Sequence, residues 1–393
     1  MGKKKEKFTV GGLFSGVGGI EKGFKNAGFN PLWLTDYDRA SYKTYIKNNP
    51  RSKKKYIGPI DINELLQNKN NLEKLQPIDV LAAGFPCQPF SLAGNRNGLF
   101  ECPHCRVYPL KKIKDMWICE DINCDFETEL DYTKINDSRG NTFFKIMEIV
   151  DFFEKEHKKK PRVLFLENVK NLRNHDGGKT IKIIEDEIRK RGYSFTINSF
   201  NTMDHTEIPQ NRERVFMVCF ENESEIYSKE SNQIDMFDYG STTSKFLKYI
   251  PKKIKKLNKI NDYLDDDVDE KYYYDDSFMN GNTDHYQTLI NNITEQNTAY
   301  QWRRIYLREN KNKVIPTLVA SMGQGGHNVP LILTKKNKIR KLTPKECFKF
   351  QGFKDFKIPE LSDSALYKQV GNTVTIPVVQ KIAKSIKKAL EGS

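Results

Sequence analysis

The chain has 393 residues, with 65 Lys and Arg against 51 Asp and Glu, a formal net charge of +14. That length allows two domains, one with a sizeable core, and the charge points to a polyanionic partner. Nucleic acid fits better than a membrane, since no lipid-binding helix or membrane span is visible, although charge alone also suits a generally basic soluble protein. Seven cysteines, an odd number, with no secretion signal argue against a disulfide framework and for thiol chemistry or metal. The start MGKKKEKF is basic with no apolar core behind it, so the expected location is the cytoplasm.

From residue 8 to 220 apolar strand patterns alternate with helical ones. Phe8 to Leu13, Pro31 to Leu34, Val80 to Ala83 and Val163 to Leu166 read as buried strands. Thr142 to Glu156 carries Phe143, Met147, Val150 and Phe153 on one helical face, and Thr180 to Arg191 reads as a helix stopped by Gly192. This alternation predicts a doubly wound α/β sheet with helices on both faces. After about Glu221 the regularity fails. A Lys-rich stretch, Lys245 to Lys259, precedes an acidic, Tyr-rich one, Asp262 to Asp276, expected to face away from a polyanion; the basic segment YQWRRIYLREN follows at 300 to 310. Helical patterning returns after 341, where Val378, Val379, Ile382, Ile386 and Leu390 form an apolar stripe suited to packing on the first domain. The expected division is a large domain over 1–220 and 336–393, with a smaller, irregular one over 221–335 inserted into it.

Chemistry concentrates in five short segments. Phe14-Ser15-Gly16-Val17-Gly18-Gly19 follows the first strand, where glycines allow a tight strand-to-helix turn and close approach of a ligand. Asp36, about 20 residues on and after the second strand, stands where a carboxylate accepts ribose hydroxyls in such folds. Asp61 is either a ligand for a base's exocyclic amine or a solvated turn residue. In GFPCQPFS, 84 to 91, Cys87 follows a buried strand between two prolines, which suits a nucleophile aimed into a cleft as well as a small packed thiol. Glu167-Asn168-Val169 follows another buried strand, and Gln210-Asn211-Arg212-Glu213-Arg214 precedes the strand Val215 to Phe220, with both arginines able to point to one side. Cys219 and Cys347 sit in apolar patterns and are read as core.

In this order the segments resemble the motifs of the S-adenosylmethionine-dependent DNA (cytosine-5) methyltransferases: FSGVGGIEKGF, GFPCQPFS, ENV, QNRERVF and, at 371 to 379, GNTVTIPVV. The resemblance covers about 8–220 and 336–390 and implies a Rossmann-like methyltransferase sheet. It implies that Cys87 adds to carbon 6 of cytosine, that Glu167 relieves the charge at nitrogen 3, and that Arg212 and Arg214 serve the ring's carbonyl oxygen and reacting face. Phe14, Ser15, Gly16, Val17, Gly18, Gly19, Asp36, Tyr37, Asp61, Ile62, Pro86, Asn372, Thr373 and Val374 are the implied cofactor contacts. Tyr37 stands where relatives often carry Trp, and Asp36 where they often carry Glu.

Between Phe100 and Ser138, where the family has almost nothing, this chain carries Cys102-Pro-His-Cys105 and Cys119 to Cys124. Cys102, Cys105, Cys119 and Cys124 have the composition of a structural zinc site in an insert at 101–133, with His104 as a substitute ligand and four chance thiols or a redox pair as the other readings. Lys111, Lys112 and Lys114 on that insert are expected to reach DNA backbone. A cytosine stacked in a duplex must be extruded to meet Cys87. Ser91, Tyr300, Arg303, Arg304, Arg308 and Thr317 are the expected contacts to double-stranded DNA, with a solvated basic face as the bland reading of the arginines. The expected protein is a monomer on DNA, with a cognate restriction endonuclease as a family-inferred partner. Methylation of tRNA and a catalytically silent DNA-binding protein are the competing functions.

Overall fold

The computed structural model describes residues 7–85, 110–113, 116–119, 127–129, 142–221, 242–275, 283–303, 306–323 and 328–392; between 110 and 129 and at 283–285 it describes backbone alone. Seven strands form the main sheet: β1 (Thr9–Leu13), β2 (Asn30–Thr35), β3 (Tyr56–Ile57), β4 (Val80–Gly84), β8 (Val163–Val169), β9 (Ile197–Asn201) and β10 (Glu213–Phe220). Three short strands, β5 (Leu110–Ile113), β6 (Met116–Cys119) and β7 (Glu127–Glu129), pair antiparallel in a separate sheet. The main sheet runs in the order β3-β2-β1-β4-β8-β10-β9. All neighbours up to β8 are parallel, and β10 is antiparallel to both β8 and β9.

Strand alternation separates two apolar faces. Val10, Val80, Ala82, Val163, Phe165, Phe216 and Val218 face one way, covered by α1 (Gly19–Asn26), α12 (Ile376–Glu391) and Phe246 of α8 (Thr242–Lys248). Leu13, Leu81, Ala83, Leu164, Leu166, Val215 and Met217 face the other, covered by α5 (Thr142–His157) and α6 (Lys179–Lys190). The expected stripe on α12 is buried in the first face. Cys219 and Cys347 are buried as expected, and burial lifts the Cys219 thiol to about 12, which removes it from thiolate chemistry. The remaining short helices of this part are α2 (Arg39–Asn48), α3 (Ile62–Gln67), α4 (Lys69–Leu72) and α7 (Thr202–His205).

A further sheet of four antiparallel strands, ordered β12-β11-β13-β14, is built from β11 (Tyr300–Arg303), β12 (Tyr306–Glu309), β13 (Leu331–Leu333) and β14 (Ile339–Lys341). It orders a region that looks irregular in sequence because its strands are three or four residues long. Helix α9 (Thr283–Asn292) packs on one side through Leu289. Ile315, Leu318 and Ile332 join this part to α10 (Pro344–Phe350) and α11 (Asp363–Asn372) in one core cluster. The acidic stretch turns toward the same helices: Asp265 pairs with Lys349 at 2.7 Å and Lys345 at 3.6 Å. Next to it the buried Arg340 and Glu346 form a bidentate pair at 2.6 and 2.8 Å.

Candidate active site

Strand register brings the site together at the carboxyl ends of β1, β4 and β8. Gly84 pairs with Glu167 across β4 and β8. Both lie on the α1/α12 side, because each follows in phase the residues that face it: Val80 and Ala82, Val163 and Phe165. Phe216 stands opposite Glu167, so Arg214, two residues earlier on β10, shares that face. Its Nε lies 3.4 Å from Glu167 Oε1. Burial pushes the Glu167 carboxyl above its usual range, opposed by the charges of Arg214 and Arg212. Burial thus makes this acid hold its proton more readily than an exposed carboxyl, and the adjacent guanidinium opposes it. Cys87, three residues past Gly84, lies outside the described residues, as do Pro86, Ser91 and Arg304. Asn168 Nδ2 donates to the Phe85 carbonyl at 3.5 Å, which ties the last described residue before Cys87 to β8.

The two arginines of the QNRER segment have different surroundings. Arg212 precedes β10 and is 3% exposed; its guanidinium donates to the carbonyls of Leu318 at 2.7 Å, Gly371 at 3.0 Å and Thr373 at 2.7 Å. It therefore locks together three distant segments, and Arg214 is the one paired with Glu167. The neighbours repeat that pattern. Gln210 Nε2 donates to the Phe350 carbonyl, Asn211 N–H to Ile315, and Thr317 Oγ1 to the Asn211 carbonyl at 2.6 Å. Gly371 is required at this junction, since a Cβ there would stand 2.0 Å from Ala320 N.

The glycine-rich turn faces the other half of the site. Phe14 has φ 55° and Gly16 φ 54°. The Gly16 N–H donates to Asp36 Oδ2 at 2.7 Å, and Asp38 N–H to Oδ1 at 2.8 Å, so Asp36 braces the turn. Burial raises the Asp36 carboxyl. A Cβ at Gly16 would meet nothing within 4 Å, so open space lies over the turn. Tyr37 is 61% exposed beside it, and Asp61 caps α3 by accepting from Asn63 N–H at 2.8 Å, with Ile62 buried behind. Ser15, Val17, Gly18 and Gly19 are buried, and Gly19 abuts Thr373 and Val374 of the GNTV segment, whose Asn372 is exposed. The first and last motifs of the chain thus meet around one space. Exposed aromatic, carboxylate and open turn fit a nucleoside.

Glu21 went unremarked in sequence. It lies under the turn, 4% exposed; Ser15 Oγ donates to its Oε1 at 2.5 Å, and its Oε2 has no hydrogen-bond partner among the described residues. Burial lifts the carboxyl to about 7. The signal was an acid in the first turn of α1 on a helix face otherwise apolar.

Of the expected DNA contacts, Arg303, Arg308 and Thr317 line one polar cavity of about 570 Å³, with Gln301, Asn211 and Asn328. Gln301 and Arg308 are directly opposed on β11 and β12, and Arg303 Nη2 donates to Gln301 Oε1 at 3.2 Å. Tyr300 is a correction. It is 1% exposed, its ring sits in the core with Leu289 and Leu331, and its hydroxyl accepts from Glu295 N–H at 2.9 Å, so the pleat turns it into the core, where no surface is left for a partner. Among the described residues no group of three or more His, Cys, Asp or Glu gathers to hold a metal, and no helix is long and apolar enough to cross a membrane. Cys102, Cys105, Cys124, Lys114 and the side chains of Cys119, Lys111 and Lys112 lie outside those residues.

Comparison with known proteins agrees with this geometry. The family model of the C-5 cytosine-specific DNA methylases matches residues 8–101 and 131–388, leaving the cysteine-bearing segment between them unmatched. Type II methyltransferase M.Bsp6I of Bacillus sp. (strain RFL6) is 37% identical over 383 residues, covering 97% of this chain and 99% of that protein. Among solved structures, the Entamoeba histolytica methyltransferase EhMeth superposes with a TM-score of 0.61 at 17% identity, covering 98% of this chain and 99% of that one. A putative DNA modification methyltransferase from an E. coli prophage gives 0.60 at 17%, covering 98% and 100%. A model spanning both halves of the sheet and a relative aligned nearly end to end leave one assignment: the chain belongs to the C-5 cytosine-specific DNA methylases and is an S-adenosylmethionine-dependent DNA cytosine-5 methyltransferase.

Proposed function

We propose that this methyltransferase acts on a cytosine turned out of a specific duplex site, with Cys87 as nucleophile, Glu167 as the acid at nitrogen 3 and Arg214 as the cation beside them. The observation that carries this is the β4/β8 register, which sets Gly84, three residues before Cys87, against Glu167 with Arg214 at 3.4 Å. The Cys87 thiolate bonds to carbon 6 while Glu167 hydrogen bonds or protonates nitrogen 3, so the ring's electron pair moves to carbon 5. Carbon 5 takes the methyl group, its proton leaves to a base, and the electrons of that C–H bond expel Cys87 and restore the ring. S-adenosylmethionine supplies an electrophilic methyl on a sulfonium. Around it Asp36 and Asp61 would face ribose and base, Tyr37, Phe14, Ile62 and Pro86 would line the adenine and methionine ends, and Ser15 to Gly19 with Asn372, Thr373 and Val374 would close the site. Arg212 acts at one remove, as a positioning residue.

Arg303 and Arg308, with Gln301 between them, read bases or phosphates from the polar cavity, joined by Ser91, Arg304 and Thr317. The recognition unit is 221–335 and the catalytic body 1–220 with 336–393. Cys102, Cys105, Cys119 and Cys124 would hold a structural zinc in the 101–133 insert, a thiolate set suited to tetrahedral coordination, with Lys111, Lys112 and Lys114 near DNA. The enzyme works as a cytoplasmic monomer and protects the site of a cognate endonuclease. Bisulfite sequencing of DNA from cells expressing the protein tests the reading: methylated cytosine at one short motif supports it, and label from S-adenosylmethionine entering tRNA but not duplex DNA would replace it.

A further inference from the structure

Residues 242–259 contain seven lysines and no acidic residue. The segment is held along its whole length. Phe246 is buried against Ile386 and Leu390 of α12, Ser385 Oγ donates to the Tyr249 carbonyl at 2.6 Å, and Lys388 Nζ lies 5.3 Å from the Tyr249 ring centre. Farther on, Ile254 N–H donates to the Asp204 carbonyl at 2.7 Å and Asn258 N–H to the Glu207 carbonyl at 2.9 Å. A strap thus runs from the carboxyl end of α12 to the segment just before Gln210 and Arg212. At Ile260 it then enters the core cluster that joins the smaller domain to α10 and α11.

Lys248, Lys252, Lys253, Lys255, Lys256 and Lys259 are exposed on this strap. Among the described residues the one carboxylate paired with its ammonium groups is Asp204, 3.0 Å from Lys253, while Asp262 accepts only from the Lys259 backbone N–H at 2.9 Å. The acidic stretch that follows pairs elsewhere, with Lys335, Lys345 and Lys349. Fixed backbone with uncompensated ammonium groups presents a row of point charges, which suits a phosphodiester backbone and carries no base code. We infer that the 242–259 strap is a second, sequence-independent DNA surface that binds backbone phosphates flanking the target site, outside the recognition cavity. The inference rests on the proposed duplex substrate.

The test is the triple variant Lys252→Gln, Lys255→Gln, Lys256→Gln, compared with wild type on a duplex of about 14 base pairs and one of about 40, each carrying the same site. The variant should bind the longer duplex roughly tenfold more weakly and lower the slope of log affinity against log salt by about 2 to 3, while its affinity for the short duplex and for S-adenosylmethionine stays at the wild-type value. The matching Lys→Arg triple should keep the wild-type slope. An unchanged slope on the longer duplex overturns the inference, and so does equal weakening on both lengths. Wild-type protein that methylates its site with no dependence on flank length sinks the strap alone, whereas wild-type protein that transfers no methyl to duplex DNA sinks the functional reading beneath it.

Discussion

Glu21 stands near the middle of its titration at neutral pH, because burial lifts its carboxyl from 4.5 to about 7. The sign follows from proton binding: between those values the folded chain holds a proton that the unfolded chain has released, so stability falls as pH rises. A difference of about 2.5 units corresponds to roughly 3 kcal/mol, fully expressed above about pH 7 and absent below about pH 4. Glu21→Gln removes the titration. Urea unfolding at about pH 5 and about pH 8 should show wild type losing up to roughly 3 kcal/mol relative to the variant as pH rises; parallel profiles would contradict the buried ionisation. Glu167 moves in the same direction for the same reason. Neither shift was legible in sequence, since both come from burial that only the packed chain provides. The place of Glu167 at the end of a buried strand was legible from its apolar run and motif.

At the scale of elements, Arg212 shows how a motif residue can be expected for one role and built for another. Its partners at 318, 371 and 373 are remote in sequence, so no spacing rule could have joined them. Lys in its place keeps the charge but lacks the planar fork that serves three carbonyls at once. Arg212→Lys should lower stability by about 2 to 4 kcal/mol, read as a reduced melting temperature, with Gly371 and Leu318 carbonyls left underserved; wild-type stability would mean the junction is held by its other bonds. The β11 hairpin is a similar case. Tyr300, Gln301, Trp302 and Arg303 alternate, but a four-residue strand does not reveal which phase faces the core until β13 is known beside it. Hence Arg303 and Arg308 emerged in the cavity and Tyr300 did not.

Across the whole molecule, the doubly wound sheet was readable because its strands are long apolar runs with two buried faces. The smaller sheet was not, because its strands are short and polar on one side. The polar cavity between that sheet and Asn211 is the proposed place of duplex readout. Arg303→Ala and Arg308→Ala should each weaken site-specific DNA binding by about 1 to 3 kcal/mol, and relax discrimination at one base position if they read guanine, with S-adenosylmethionine affinity unchanged in calorimetry. Equal loss on specific and random duplexes would move them to phosphate contact.

The most direct measurement is covalent trapping. A duplex carrying 5-fluorocytosine at the target position, incubated with enzyme and S-adenosylmethionine, should yield a denaturation-resistant protein–DNA species whose attachment maps to Cys87 by mass spectrometry, because fluorine at carbon 5 cannot leave as the proton does. Cys87→Ala should give none. A trapped species joined at another residue, or full turnover by the Cys87→Ala enzyme, would contradict the account.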